Sequence, residues 1–367
     1  MDLGLSEAQA MLQRGAREVL ERECPPRRVR DVEERLDGHD ATLWRQLAEL
    51  GWLGLTLPES VGGLAASFED QAVLAEELGR ALVPGPFVET CAILPRLLDE
   101  AHPAQRARLL PKIADGTLLA AIALSEADAS WNEGDVRLTV HDDSEALILD
   151  GLKAFVGYGP VANLLIVAAR HDDGVSALLV EADTAGVTIE PIPSMTGVPL
   201  AEVRFTSVHV ASEARLAGGW QTLQRALDAG AVMAAAYQVG AATAVLDLTV
   251  EYAKSRIAFG RPIGSFQAIQ HKLVGMLNHL DGARLATWEA AWKLDDDAPD
   301  ASISASLANY LASEGLRESC FEAHEVHAGV GFMVDYDLQL FYPRAKWIEQ
   351  LLGQPVHHRD RIVAALV

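Results

Sequence analysis

The most chemically loaded stretch of this chain runs from Arg256 to Gln267, with Arg256, Phe259, Arg261 and Phe266 around a Gly260-Arg261-Pro262 break. An Ala-rich helical pattern enters the break and another leaves it. Two cations and aromatic rings at a helix-helix corner can grip a phosphate and stack on a flat ring. The same corner is also ordinary connective structure. Elsewhere, Ser125 offers a hydroxyl donor and acceptor. Phe155 offers a ring, though an aromatic in a strand is commonly core. Gly329 and Gly331 let backbone approach a phosphate without a side-chain clash. His324 and His327 are three apart and His357-His358 adjacent, but no Cys or carboxylate completes a metal set, and Asp295-Asp296-Asp297 lacks EF-hand spacing.

Such residues need a large scaffold. The chain has 367 residues, is 50% apolar and carries a net charge of -22. It can bury a large core, in two or three domains. The charge argues against nucleic acid and anionic membranes as partners but permits an anionic small ligand held by local Arg and Lys. Cys24, Cys91 and Cys320 are odd in number and form no motif, as expected of buried thiols in a reducing cytoplasm. Met1-Asp2-Leu3-Gly4-Leu5 lacks the pattern of a signal peptide. No apolar run reaches the roughly 18 residues of a membrane span, so no membrane insertion is expected.

Periodicity divides the chain in three. Residues 1–117 read as helices, near Glu7–Glu23, from Asp40 to Gly51, from Phe68 to Leu82 and from Ala104 to Ala114, punctuated by Pro25-Pro26, Gly62-Gly63 and Pro84-Gly85-Pro86. Residues 118–217 alternate as strands do. Arg137–Val140 and Ala146–Leu149 flank the turn Asp142-Asp143-Ser144; Leu164–Ala169 and Ser176–Val180 flank Asp172-Asp173-Gly174; Val187–Ile192 and Val203–Val210 follow. An antiparallel barrel or sandwich is expected there. Residues 218–367 return to helices: about Leu223–Arg256, Lys272–Lys293 and Ser302–Val326, with small Ala and Gly residues suited to a bundle core or an oligomer interface. The fold class is α+β.

This order of helices, β domain and helical bundle resembles the acyl-CoA dehydrogenase family over essentially the whole chain. Trp44–Pro58, Gly62-Gly63 and Glu76-Glu77-Leu78-Gly79-Arg80 resemble its N-terminal helical domain. Ala121–Glu126 resembles the loop that faces the flavin pyrimidine, and Gly151–Val156 the strand placing an aromatic beside the isoalloxazine. Arg256–Gln267 resembles the segment that holds the FAD diphosphate of a neighbouring subunit. His327-Ala328-Gly329-Val330-Gly331-Phe332 resembles the Gly-rich turn near the FAD diphosphate and adenosine.

The resemblance implies a four-helix C-terminal bundle and an oligomer sharing FAD across its interface. It implies an acyl-CoA substrate and an electron-transfer flavoprotein as electron acceptor. The cofactor-binding residues would be Ala123, Ser125, Phe155, Gly157, Arg256, Phe259, Phe266, Gln267, Glu325 and Gly329. The reaction needs a base for the α-proton while flavin N5 takes the β-hydride. Most relatives place a Glu after a C-terminal helix, where this chain has Leu352. Others place it about twenty-six residues before the FAD-segment Arg, where this chain has Gly230. Asp228 and Glu349 are the nearest carboxylates, each a candidate displaced base and each also readable as a surface or capping group. Further departures are Ala127–Trp131 in place of a Pro and a Gly-Ser-Asp run, Gly157 in place of Thr or Ser, and Glu325 in place of Gln. A carboxylate there must be paired or turned away from a diphosphate. Two functions follow from the resemblance: an FAD-dependent dehydrogenase that desaturates an acyl-CoA, or the base-less, FAD-sharing partner of a heteromeric α2β2 dehydrogenase, as for steroid side-chain thioesters. A flavin-free scaffold or acyl-CoA binder is a third.

Overall fold

The computed structural model describes residues 4–35, 37–143 and 146–367. Ser144 of the expected acidic turn and Met1-Asp2-Leu3 of the chain start lie outside the described residues. The chain packs as two compact units interleaved in sequence. One comprises residues 1–31, 68–83 and 231–367; the other comprises 32–67 and 84–230.

In the first unit, helix α1 (Glu7–Glu23) opens on a reciprocal Ser6–Gln9 capping box, and Pro26 starts α2 (Pro26–Glu33). Helix α3 (Ala41–Glu49), capped by the Asp40 carboxylate, belongs to the second unit, and α4 (Phe68–Arg80) returns to the first. The Asp295 carboxylate, distant in sequence, accepts the N–H groups of Phe68 and Glu69 at the start of α4.

Past α5 (Leu94–Leu98) and α6 (Pro103–Ala114) of the second unit, the long helix α7 (Gly219–Ser255) spans both units. It is followed in the first by α8 (Gln267–Asp295), α9 (Ala301–His327), α10 (Leu338–Gln350) and α11 (Pro355–Leu366), the last three packing together. By length and composition α7 could cross a membrane, but 83% of its apolar window is buried inside the protein, which makes it a core helix.

Helices α4 and α7 touch backbone to backbone. A Cβ on Gly79 would lie 1.9 Å from the Tyr237 carbonyl oxygen, and one on Gly240 would lie 1.7 Å from that of Glu76. The run Glu76-Glu77-Leu78-Gly79-Arg80 is therefore a packing hub. Buried Glu76 accepts from Trp288 Nε1 at 2.7 Å and from Arg284 Nε at 3.3 Å. Glu77 takes a bidentate bond from Arg17 (2.9 and 2.7 Å), and Arg80 donates to Asp247 at 2.7 Å.

The second unit holds a seven-stranded sheet: β1 (Ala120–Ala123), β2 (Thr139–Asp143), β3 (Ala146–Gly157), β4 (Leu164–His171), β5 (Gly174–Glu181), β6 (Val187–Ile192) and β7 (Leu200–Ala211). The hairpins β2–β3, β4–β5 and β6–β7 are antiparallel as expected. The sheet as a whole is mixed, which corrects the wholly antiparallel expectation. Strand β1 runs parallel to β4 in register Ala120↔Leu164 to Ala123↔Val167, and β2 meets β4 in parallel at Thr139↔Arg170. The strand order β1-β4-β2-β3-β7-β6 is not legible from hairpin spacing, because β1 joins a strand more than forty residues away. Leu138, Leu149, Val167, Leu178, Val203 and Phe205 form its apolar core.

A methyl group on Gly240 forces the α4 and α7 backbones apart, whereas one on Gly15 of α1 meets nothing within 4 Å. Gly240→Ala is expected to lose about 3 kcal/mol or more in urea unfolding, and Gly15→Ala to gain roughly 0.5–1 kcal/mol.

Candidate functional site

In the second unit, the turn after β1 is clamped to β3. Lys153, fully buried, donates to the Leu124 carbonyl at 2.9 Å and to Glu126 Oε1 at 2.7 Å. The Ala154 N–H donates to the Ser125 carbonyl at 3.0 Å, and Ser125 Oγ donates back to the Ala154 carbonyl at 3.3 Å. Glu126 also accepts the N–H groups of Arg137 and Leu138, both at 2.9 Å. Burial raises the Glu126 pKa, but the bonds from Lys153 and the two amides outweigh it and leave the carboxyl below its ordinary value. Burial likewise depresses the Lys153 ammonium, against the pull of Glu126.

Directly after this clamp, β3 has one residue more than β7: the pairing steps from Lys153↔Val203 to Val156↔Ala201. Phe155 sits in that bulge with φ 57°, a left-handed conformation costing an ordinary residue about 1–2 kcal/mol. The residue is 47% exposed although its strand neighbours are buried. The bulge turns an aromatic out of the sheet, as a ring-stacking role requires. Gly157, at the end of β3, is buried, and so is Ala123. The Ser125 hydroxyl, its proton directed to Ala154, keeps its acceptor lone pairs.

In the first unit, Arg256–Gln267 folds into a hairpin, with β8 (Ile257–Ala258) and β9 (Arg261–Pro262) joined through Phe259 and Gly260. Both turn residues have positive φ, 52° and 79°, as a two-residue primed turn requires. Phe259 at its tip is 96% exposed. The Arg261 guanidinium lies 4.2 Å from the centre of the Phe266 ring, holding that ring in place. Arg256 is exposed and forms no ion pair among the described residues. Gln267 is the first residue of α8, and no side chain caps that turn, so its N–H groups and helix dipole remain available to an anion. Glu325 is ion-paired with Lys272, which it shares with Glu322, so its charge is partly offset. Hydrogen bonding to the two carboxylates, chiefly Glu322, raises the Lys272 pKa.

At the end of α9, buried His327 stacks on Tyr252 (ring centres 4.3 Å apart) and bonds the Ala323 carbonyl through Nδ1. His324 likewise bonds the Cys320 carbonyl. The chain then turns at Ala328, φ 51°, and presents exposed Gly329, where a Cβ would meet nothing within 4 Å. Gly331 is packed on His327 instead. Within the first unit, a cation with no ion pair among the described residues, an uncapped helix start, an unobstructed glycine and the exposed Phe259 ring suit the diphosphate part of FAD, and in the second unit the outward Phe155 ring suits its flavin.

Neither expected base position offers a proton acceptor. Leu352 is 3% exposed with φ 66°, and Gly230 is buried within α7. Asp228 is buried and accepts from Gln224 Nε2 at 3.0 Å. Glu349 is buried and bonded to Lys346 at 2.9 Å. Both are core groups, which corrects the surface reading. Sequence reasoning passed over two features of the second unit. One is the Lys153–Glu126 pair, signalled only by a Lys within an apolar strand. The other is Glu89, 2% exposed in the π-helical turn Glu89–Ile93, with Oε1 unpartnered.

These features define a flavin-dependent oxidoreductase built from helices and a β sheet. The chain belongs to the acyl-CoA dehydrogenase family: that family's N-terminal domain matches residues 6–117, its middle domain 121–208 and its C-terminal domain 217–367. The acyl-CoA dehydrogenase IpdE2 of Mycolicibacterium smegmatis is 33% identical over 364 residues, covering 98% of this chain and 99% of the relative. The CarC subunit of the caffeyl-CoA reductase-Etf complex of Acetobacterium woodii is 29% identical, covering 92% of each. A chain of the crystallised ChsE4-ChsE5 complex from Mycobacterium tuberculosis superposes with a TM-score of 0.92 at 27% identity, covering 100% of this chain and 99% of that one.

Burial pushes the Glu89 carboxyl up to about 8 from an unfolded value near 4.5. The folded state therefore holds a proton that the unfolded state releases, and stability falls as pH rises between those values. Glu89→Gln removes this dependence. In urea titrations the variant is expected to gain on the parent by up to about 1.4 kcal/mol per pH unit from pH 4.5 to 8, with a constant gap above. Parallel stability curves for the two proteins would show that Glu89 does not hold that proton.

Proposed function

We propose that this chain takes part in the α,β-desaturation of an acyl-CoA as the FAD-sharing, base-less subunit of a heteromeric acyl-CoA dehydrogenase. The observation that carries this reading is that the buried, left-handed Leu352 and the helical Gly230 occupy the two positions where the resemblance expects a base, while Arg256 is exposed and forms no ion pair among the described residues. A leucine and a glycine cannot accept the α-proton, so a second chain type must supply the carboxylate. When bound, FAD accepts the β-hydride.

This chain's own residues bind and orient. Arg256 supplies a charge-assisted contact to the diphosphate, with Gln267 at the helix start beside it. Phe259 and Phe266 give apolar walls, and Gly329 admits the diphosphate close to backbone. Ser125 accepts at the flavin's polar edge, Phe155 stacks, Gly157 leaves room beside the ring, and buried Ala123 sits in the strand that leads to Ser125. Residues 1–117, 118–217 and 218–367 are the segments of that subunit. The substrate is a fatty or steroid side-chain thioester, and an electron-transfer flavoprotein is the acceptor. The CarC relative supports an acceptor of that kind, and ChsE4-ChsE5 the heteromer.

Purified alone, the chain is expected to lack a stable flavin spectrum, and to gain one when co-expressed with a dehydrogenase chain that carries the catalytic Glu. In that complex Arg256→Gln is expected to weaken FAD retention about tenfold or more, read by flavin fluorescence. Bleaching of FAD by acyl-CoA in the lone chain would overturn the shared-site reading. Asp228→Asn and Glu349→Gln would then locate its base.

A further inference from the structure

We propose that the Glu89 carboxyl is a specificity group that hydrogen-bonds a ketone or hydroxyl oxygen carried by the acyl part of the thioester. The proposal rests on the acyl-CoA reading above and narrows it to oxygen-bearing acyl groups.

Glu89 opens the π-helical turn Glu89–Ile93, which runs into α5. Such turns insert an extra residue, are uncommon, and concentrate at functional sites. The side chain is 2% exposed, Oε1 has no hydrogen-bond partner, and no cation among the described residues pairs with it. The next residue fixes its place: Thr90 Oγ accepts the Ala120 N–H at 3.0 Å, pinning the turn to the head of β1. That strand leads to Ser125. Five residues of extended chain separate Ala120 from Ser125, at most about 17 Å, within the same compact unit.

Buried without a cation, the carboxyl keeps its proton at neutral pH and is a hydrogen-bond donor as well as an acceptor. A leucine or methionine would fill an apolar site without the penalty of an unsatisfied polar group. A hydrocarbon tail gives this group nothing to bond. A ketone accepts its proton, and a hydroxyl can either accept or donate. Sites built to bond a polar group discriminate strongly against ligands that lack it.

The test uses the full-length, FAD-loaded protein with its co-purifying partner chain. Dissociation constants are measured by calorimetry for octanoyl-CoA and for its isomers bearing one ketone beyond the β-carbon. The parent is expected to bind at least one oxo ester about tenfold more tightly than octanoyl-CoA. Glu89→Gln, of the same shape and still a donor, keeps most of that preference; Glu89→Leu loses it. An unchanged ratio in Glu89→Leu overturns the proposal and leaves the dehydrogenase reading intact, as does a change confined to the melting temperature. If Glu89→Leu does not fold, loss of the preference in Glu89→Gln decides against the donor role. Failure of the parent to bind any of these esters overturns the acyl-CoA reading and this proposal with it.

Discussion

The contact on which the first unit depends is the backbone-to-backbone approach of α4 and α7. Two carbonyl oxygens occupy the space where side chains would be, and only glycine at positions 79 and 240 allows this. At that spacing the remaining groups of the Glu76–Arg80 run have fixed directions: Glu76 toward α8, Glu77 toward α1, Arg80 toward α7. Buried carboxylates are costly when unpaired, and here each is matched by a cation or an indole N–H. The axis of α7 is set in this way. Its last turn therefore delivers Arg256, and Tyr252 one turn earlier stacks on His327 beside the glycine turn. The candidate diphosphate groups are consequences of helix packing about three to four turns away.

The second unit solves a different problem, presenting polar and aromatic groups from the side of an apolar sheet. Four hydrogen bonds tie Leu124, Ser125 and Glu126 to Lys153 and Ala154. A bulge one residue later then turns Phe155 outward. A buried ion pair is a poor source of net stability, because desolvation offsets the attraction. Its value here is positional, since it holds the turn and the strand in one register. Glu89 is the opposite case, a buried carboxyl with no counter-ion among the described residues, whose burial costs stability instead of adding it.

In the proposed reading, binding groups and reaction groups are separate. The chain retains an exposed cation, an uncapped helix start and outward aromatics, yet fills a base position with a buried leucine whose backbone remains left-handed at φ 66°. A subunit that contributes cofactor contacts while another contributes the base is a consistent physical outcome of that separation.

The order of helices, strands and helices was legible from sequence because periodicity and Gly/Pro punctuation are local properties. So was the Arg256 segment, whose turn chemistry is written in adjacent residues. The empty base positions could be counted directly, because Leu352 and Gly230 lie at fixed offsets from recognisable motifs. Glu325 looked unfavourable near a diphosphate until the fold brought Lys272 to it from another helix. The parallel pairing of β1 with β4, the burial of Asp228 and Glu349, the Lys153 clamp and the isolation of Glu89 were likewise decided only by tertiary structure. Each depends on contacts between segments far apart in the chain. Residue types and local order set which groups are present; desolvation and long-range pairing, which exist only in the folded chain, set their charge, direction and partners.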